Sequence, residues 1–221
     1  MSATRPHKPN PIKGPLTKAA QTVARTAAQE VRIIGGQWKR SVLPVPVSAG
    51  LRPTPGRVRE TLFNWLGQDL SGWRVLDAFA GSGALGFEAA SRGAEDVLLL
   101  EREPGLVRSL QATQAKLKAT QVRVMQADAT SWMRQARQAG LFDLVFLDPP
   151  FDDKLFWAAL EGALNCVPDG GWIYLESPAL LQQLPDADQH AHLMAQLAPH
   201  RQGQAGAVHF HLFRRVAASQ A

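Results

Sequence analysis

The stretch that decides the fold is LVFLDPPF, residues 144–151, in which an apolar run ends directly in an acid, two prolines and an aromatic ring. The run has the length and composition of a buried β-strand. Proline fixes φ and has no backbone N–H, so Pro149 and Pro150 end the strand and stiffen the loop after it. The sequence therefore predicts a rigid loop that presents the Asp148 carboxylate, a free backbone carbonyl and the Phe151 ring. Ligands of open α/β sheets bind at the carboxyl ends of strands, which makes this loop a candidate binding site.

Strands and helices alternate around this loop, a pattern typical of a parallel sheet with helices on both faces. The predicted strands span 73–76, 96–100, 121–126, 141–147 and 172–175, and the predicted helices span 84–92, 104–118, 131–138 and 154–165. Residues 192–199 and 207–214 flank the turn-like segment 202–206. This arrangement predicts two antiparallel strands that close the sheet.

The residues before this alternation predict three further parts. Residues 1–30 are rich in Pro, Thr, Ala, Gln and Lys and predict a disordered basic arm. Residues 31–52 predict a short β-hairpin with a glycine turn and a connection. A helix is expected from Pro55, with Thr54 as its N-cap, and it opens the main domain of residues 53–216.

Composition and charge narrow the function classes. The single cysteine, Cys166, excludes an intramolecular disulfide and a cysteine-based zinc cluster, which suits a reducing cytosol. Neither a membrane span nor a signal peptide is evident, so we expect a soluble, cytoplasmic protein. Residues 1–60 hold 11 Lys and Arg against 2 Asp and Glu, whereas the chain as a whole has a net charge of +5. This basic third indicates either a solvated surface or a surface for a nucleic-acid backbone.

A glycine-rich loop follows the first strand of the alternation. Residues 77–86, DAFAGSGALG, contain G-x-G-x-x-G, a weak dinucleotide-binding pattern on its own. Asp77 disfavours a pyrophosphate at this loop and suits a ligand with an ammonium or sulfonium group instead. A glycine-lined turn in which Asp77 caps the next helix stays open as the alternative.

Two more acids follow successive strands. Glu101 can accept both hydroxyls of a ribose, and Asp128 can accept from an exocyclic amine or cap the helix after it. Each acid alone is typical of a helix cap or a solvated side chain. Together with Asp77 they place three acids on three successive strand ends, which predicts a nucleoside-bearing ligand.

With such a ligand beside it, the loop at Asp148 acquires a chemistry. The amino group of a nucleobase is a poor nucleophile because its lone pair is delocalised into the ring. Hydrogen bonds to Asp148 and to the Pro149 carbonyl favour the pyramidal geometry needed for attack on a methyl donor. Phe151 can stack on the base once it leaves its helix. The alternative is a proline-stiffened loop in which Asp148 is a cap.

These motifs resemble a known family. Residues 75–83, Glu101 and the Asp-Pro-Pro-Phe loop are similar to S-adenosylmethionine-dependent amino-methyltransferases of the Rossmann-like type. Residues 32–36, 51–54 and 57–64 narrow the resemblance to the RsmD-like bacterial methyltransferases that modify the N2 of one guanine in 16S ribosomal RNA. The resemblance runs from about residue 31 to 215, and the long basic arm is its main departure.

The resemblance implies an α/β, class I methyltransferase fold with a seven-stranded, mostly parallel sheet and a reversed last strand. It also implies a bound S-adenosylmethionine and, as substrate, the small ribosomal subunit or a late assembly intermediate. Separately, we expect a monomer that needs no metal, since nothing in the sequence demands more. Asp148, Pro149, Pro150 and Phe151 would be catalytic. The implied cofactor-binding residues are Asp77, Phe79, Gly81, Gly83, Glu101, Arg102, Asp128 and Ala129. The implied RNA-binding residues are Arg32, Lys39, Arg40, Arg52, Arg57 and Arg59, and the alternative stays open that one of the last three holds the cofactor carboxylate instead.

Two other functions remain open from the residues alone. The loop at Asp148 also suits adenine-N6 methylation of DNA or RNA. A non-catalytic RNA-binding protein on the same fold is the alternative from a different class, and it predicts no binding of S-adenosylmethionine. An NAD-dependent enzyme fits least, because the chain lacks a plausible hydride-transfer site.

Overall fold

The computed structural model describes residues 30–45, 54–136, 140–150 and 153–217. The predicted basic arm lies outside these ranges except for its last residue, and so does most of the connection after the hairpin. The elements in chain order are β1 (Glu30–Arg32), β2 (Val42–Pro44), α1 (Gly56–Trp65), β3 (Arg74–Asp77), α2 (Ala84–Ser91), β4 (Asp96–Glu101), α3 (Pro104–Leu117), β5 (Val122–Gln126), α4 (Ala129–Gln135), β6 (Leu144–Leu147), α5 (Asp153–Cys166), β7 (Trp172–Ser177), α6 (Ala191–Met194), β8 (Leu197–Ala205) and β9 (Val208–Arg215).

The main sheet has seven strands in the order β5-β4-β3-β6-β7-β9-β8. The five strands from β5 to β7 are mutually parallel, and β9 runs antiparallel to both of its neighbours. Every residue of β6 and β7 is buried, as expected for central strands covered on both faces. The α/β class, the seven strands and the reversed last strand are therefore confirmed.

Two apolar layers sandwich the sheet. One face packs against α1, α2 and α3, and the other packs against α4, α5 and α6. Phe146 of β6 makes edge-to-face contacts with Phe63 of α1 and Tyr174 of β7, at centroid distances of 6.1 and 6.0 Å. All three rings are completely buried. The strand that leads into the Asp148 loop is thus fixed by packed aromatic rings on one face of the sheet.

The predicted N-terminal hairpin is present, with shorter strands than expected. Strands β1 and β2 pair antiparallel, and Val31 lies opposite Leu43. Between them the chain follows α2, where the backbone N–H groups of Ile34 and Gly35 donate to Glu88 over 2.7 and 2.8 Å. These backbone groups bond to a helix side chain and not across the hairpin, which explains why the strands stop early.

The end of the sheet differs from the prediction in its boundaries. Residues 191–194 form the short helix α6, and β8 continues through the segment 202–205 that was expected to turn. The Phe210 ring covers Gly203 on the neighbouring strand, where a Cβ atom would lie 2.3 Å from the ring. The chain reverses instead at Gly206, whose φ of 63° suits a tight turn. Gly203 therefore serves cross-strand packing, and only Gly206 serves the turn.

Candidate active site

A cavity of about 1060 Å³ lies at the carboxyl edge of the sheet, where the loops after β3, β4, β5 and β6 meet the end of β7. Parallel strands bring their carboxyl ends to one edge, which explains why acids distant in sequence share this cavity. The predicted residues that line it are Asp77, Phe79, Gly81, Glu101, Arg102, Asp128, Ala129, Asp148, Pro149 and Pro150. Phe151 lies outside the described residues.

The three glycines of the loop have different tasks. Gly81 lines the cavity, and its N–H donates to Glu101 over 3.0 Å. Gly83 has a φ of 76°, and a Cβ there would lie 2.6 Å from Phe87, so packing excludes a side chain. A Cβ at Gly86 would lie 2.1 Å from Leu99. Gly83 itself does not line the cavity, although its neighbours Ser82 and Ala84 do. Its part in holding the ligand stays a prediction.

Asp77 is a buried acid at the cavity wall. Only 3% of its surface is exposed, and its carboxylate accepts one hydrogen bond of 2.9 Å from the Gly86 N–H. Burial raises the pKa of Asp77 to about 7; the Gly86 bond opposes this rise, and the charge of Glu101 adds to it. Asp77 therefore contacts the helix α2 through Gly86 and still lines the cavity, so the two predicted roles of this acid are compatible. A cation in the cavity would favour the charged form of this acid.

Glu101 and Asp128 are held by backbone groups. One oxygen of Glu101 accepts from Gly81, and the other accepts from the Glu103 N–H over 2.9 Å. Asp128 is the N-cap of α4 and accepts from the Ser131 N–H over 2.8 Å. That backbone bond is the main reason why the pKa of Asp128 is lowered. The helix-cap alternative for Asp128 is thus correct, while the residue also lines the cavity.

Asp148 lines the cavity as a half-buried residue, beside buried Pro149 and exposed Pro150. Burial of its carboxyl raises the pKa of Asp148 well above the usual range, and the charges of Glu176 and Asp77 raise it further. A hydrogen bond from the Thr54 hydroxyl opposes this rise. The prediction of Thr54 as a helix cap is wrong, because Pro55 holds that position and no side chain caps α1. Thr54 instead orients the candidate catalytic acid.

Glu176 is the site residue to which sequence reasoning gave no role. It comes directly after the predicted strand 172–175 and lies within β7 in the structure; it lines the cavity and is 4% exposed. The hydroxyl of Tyr174 donates to its Oε1 over 2.8 Å. Burial, followed by the nearby charge of Glu176, raises the pKa of Tyr174. The sequence carried a signal for this residue. Glu176 lies near the carboxyl end of β7 and Asp77 ends β3, and these two strands are the neighbours of β6 in the sheet.

Four of the predicted RNA-binding residues lie on the surface. Arg32, Lys39 and Arg40 are exposed on the hairpin and its turn, and Arg57 is exposed in the first turn of α1. Arg32 also approaches Glu30 to 3.2 Å, an exposed ion pair of little energetic weight. Arg52 lies outside the described residues.

Arg59 has a different place from the one predicted. It is 3% exposed, and its guanidinium lies 3.4 Å from Glu88 and donates to the carbonyls of Arg32 and Thr54 over 3.0 and 3.3 Å. Arg92 donates to the same carboxylate over 2.9 Å. A side chain that is committed to a buried ion network has no face for a phosphate. The prediction of Arg59 as an RNA contact is therefore wrong, and the residue joins the hairpin to α1 and α2.

Two further findings concern only the described residues. In these ranges, we find no group of three or more His, Cys, Asp or Glu side chains arranged to hold a metal ion. No helix in the described part of the chain is long and apolar enough to cross a membrane.

Comparison with known proteins decides the family. The sequence profile described as "Conserved hypothetical protein 95" matches residues 31–214. The chain belongs to this family. Similar proteins named "Ribosomal RNA small subunit methyltransferase D" include one from Escherichia coli K12, 42% identical over 194 residues, which cover 85% of this chain and 91% of that protein. Another, from Haemophilus influenzae, is 42% identical over 149 residues, or 66% of this chain and 75% of that protein.

Solved structures agree with this family assignment. The "Putative methyltransferase yhhF from Escherichia coli" has a TM-score of 0.73 and 38% identity, and the match covers 86% of this chain and 99% of that one. A Thermus thermophilus 16S rRNA methyltransferase in complex with AdoMet and guanosine has a TM-score of 0.64 at 22% identity, covering 85% and 50% of the two chains. At that identity the second likeness shows a shared fold.

Proposed function

We propose that this chain transfers a methyl group from S-adenosylmethionine to the exocyclic N2 of one guanine in the 16S ribosomal RNA of the small subunit. One observation carries this proposal: the Asp148-Pro149 loop lies in the same cavity as the glycine loop and the acids Asp77 and Glu101. The names of the family relatives support ribosomal RNA as the substrate.

The cavity residues suit S-adenosylmethionine, which supplies a methyl group activated by a positively charged sulfur. Asp77 is a buried acid whose ionisation is opposed by burial, so it favours a ligand with a positive charge. The carboxylate of Glu101 would accept from ribose hydroxyls, and Asp128 would accept from the adenine amine. Phe79, Arg102 and Ala129 line the remaining wall.

Asp148 and the Pro149 carbonyl would then act on the amine of the target base. Both accept hydrogen bonds, so together they align the nitrogen and favour the pyramidal form in which its lone pair is available. After direct transfer the nitrogen carries an extra proton. Asp148 is placed to accept it, because a raised pKa makes this carboxylate a stronger base than an exposed one.

The exposed Arg32, Lys39, Arg40 and Arg57 would contact the RNA backbone, together with residues of the basic N-terminal third. The substrate would be the small ribosomal subunit or its late assembly intermediate, which places the protein in the cytoplasm. We further propose a monomer that works without a metal.

The test is methyl incorporation into small ribosomal subunits that lack the modification. We expect Asp148→Ala to lower the rate by roughly 100- to 1000-fold, the usual effect of removing one essential hydrogen-bonding group. Asp169→Ala is the matched control, because Asp169 is exposed and precedes β7 at the opposite edge of the sheet. Equal rates for wild type and Asp148→Ala would refute the catalytic role of Asp148.

Two measurements separate the alternatives. Nuclease digestion and mass spectrometry of the product identify the methylated base, and N6-methyladenine in place of N2-methylguanine would contradict the proposal. Calorimetry with S-adenosylmethionine tests the non-catalytic alternative, which predicts that no heat of binding is observed.

A further inference from the structure

The acids at the ends of β6 and β7 are neighbours. These strands are paired in parallel with Leu147 opposite Leu175, so Asp148, just after β6, and Glu176, within β7, are the next residues in the register. Paired strands lie about 4.8 Å apart. Both line the cavity, and the charge of Glu176 acts on Asp148. The substrate half of the cavity therefore has two adjacent carboxylates, and only one is needed to align an amine.

Glu176 is also fixed in position. The Tyr174 hydroxyl donates to its Oε1 over 2.8 Å, and the Tyr174 ring is completely buried against Phe146. An oriented, buried carboxylate in a cavity wall is thus suited to accept a hydrogen bond from one chosen ligand atom.

We propose that Glu176 accepts the N1–H of the target base, so that it selects guanine over adenine. This inference rests on the proposed methyl transfer to guanine and names the residue that determines its specificity. The Watson–Crick edge of guanine presents the N2 amine and the N1–H as adjacent donors. Asp148 accepts from the first and Glu176 accepts from the second.

Adenine does not match this pair of acids. Its N6 amine is a donor, but its N1 has a lone pair that would face the Glu176 carboxylate. Bound adenine would leave Glu176 without the N1–H and would place a lone pair against its carboxylate. A site that is built to bond a polar group of one ligand strongly rejects a ligand that lacks this group. We expect a preference of at least roughly 10- to 100-fold.

Three ribonucleosides separate the two donors. Guanosine has both, inosine has the N1–H without the N2 amine, and 2-aminopurine riboside has the N2 amine without the N1–H. Their dissociation constants are measured with the protein saturated by S-adenosylhomocysteine. We expect Glu176→Gln to weaken guanosine and inosine by roughly tenfold or more and to leave 2-aminopurine riboside unchanged or tighter, because an amide can donate to N1. Asp148→Asn should instead weaken guanosine and 2-aminopurine riboside more than inosine.

Tyr174→Phe is the second variant, because it keeps the Glu176 carboxylate and removes only the hydroxyl that orients it. It should reduce the guanosine preference by less than Glu176→Gln does. If Glu176→Gln weakens the binding of all three nucleosides equally, Glu176 has a purely structural role and the inference is overturned. A wild type that binds guanosine no better than 2-aminopurine riboside would overturn it as well. If the wild type shows the predicted preference for guanosine but transfers no methyl group to guanine N2, the proposed function is refuted and the inference about Glu176 stands.

Discussion

The affinity for S-adenosylmethionine should depend on the ionisation of Asp77. Burial raises the pKa of this acid to about 7, so the ligand-free protein keeps Asp77 protonated in mildly acidic solution. A cationic ligand group beside Asp77 favours the charged carboxylate, and binding below pH 7 must therefore release a proton.

The magnitude follows from the pKa. With a pKa of about 7, the ionised fraction rises from roughly one tenth at pH 6 to roughly nine tenths at pH 8. If the ligand binds only the ionised form, its dissociation constant falls about tenfold between these two values. The stability of the ligand-free protein should change with pH in the opposite direction to the affinity. The raised pKa of Asp77 makes a contribution to stability that is fully present below the ordinary carboxyl pKa, and this contribution is lost as pH rises through about 7.

Titration calorimetry at constant ionic strength measures this slope. Asp77→Asn should bind the ligand more weakly and with an affinity that is constant from pH 6 to pH 8, because an amide does not titrate. Asp128→Asn is the matched control: the pKa of Asp128 is lowered by its helix-capping bonds, so removing this acid should leave the tenfold rise intact. An affinity of the wild type that does not change with pH, or an equal slope in Asp77→Asn, would refute the reasoning.

Two more predictions concern the buried network and the basic surface. Glu88→Ala should destabilise the fold by about 3–5 kcal/mol in urea unfolding, since it leaves buried guanidinium groups and backbone N–H groups unpaired; a cost as small as that of exposed Glu60→Ala would contradict this. Arg57→Ala should weaken binding to ribosomal RNA and lower the slope of log affinity against log salt by about 1, with stability unchanged. Lys116→Ala, at the far end of α3, should leave that slope as it is.

The sequence predicts the cavity well where local pattern and topology agree. The apolar run before Asp148 marks a central strand, and parallel alternation alone requires Asp77, Glu101 and Asp128 to share an edge with it. No local pattern records that Thr54, distant in sequence, donates to Asp148. Such a contact depends on how a preceding loop crosses the finished sheet.

Arg59 shows why charge is a poor guide to exposure. It lies three residues before buried Leu62 and four before buried Phe63, so helical geometry places it on the inner face of α1. Its burial is tolerable only because Glu88, on a helix formed later in the sequence, supplies the compensating charge. Without knowledge of this partner, sequence analysis places an arginine such as Arg59 on the surface.

The attachment of the hairpin to Glu88 has a consequence for the order of events during synthesis. A hairpin with three-residue strands has little stability of its own. The acid that holds Ile34 and Gly35 lies 54 and 53 residues further along the chain. Although the hairpin leaves the ribosome before α2, it has to wait for that helix before it gains a fixed position. The earliest part of this domain to be made therefore gains its fixed position only after α2, more than fifty residues later, has been made.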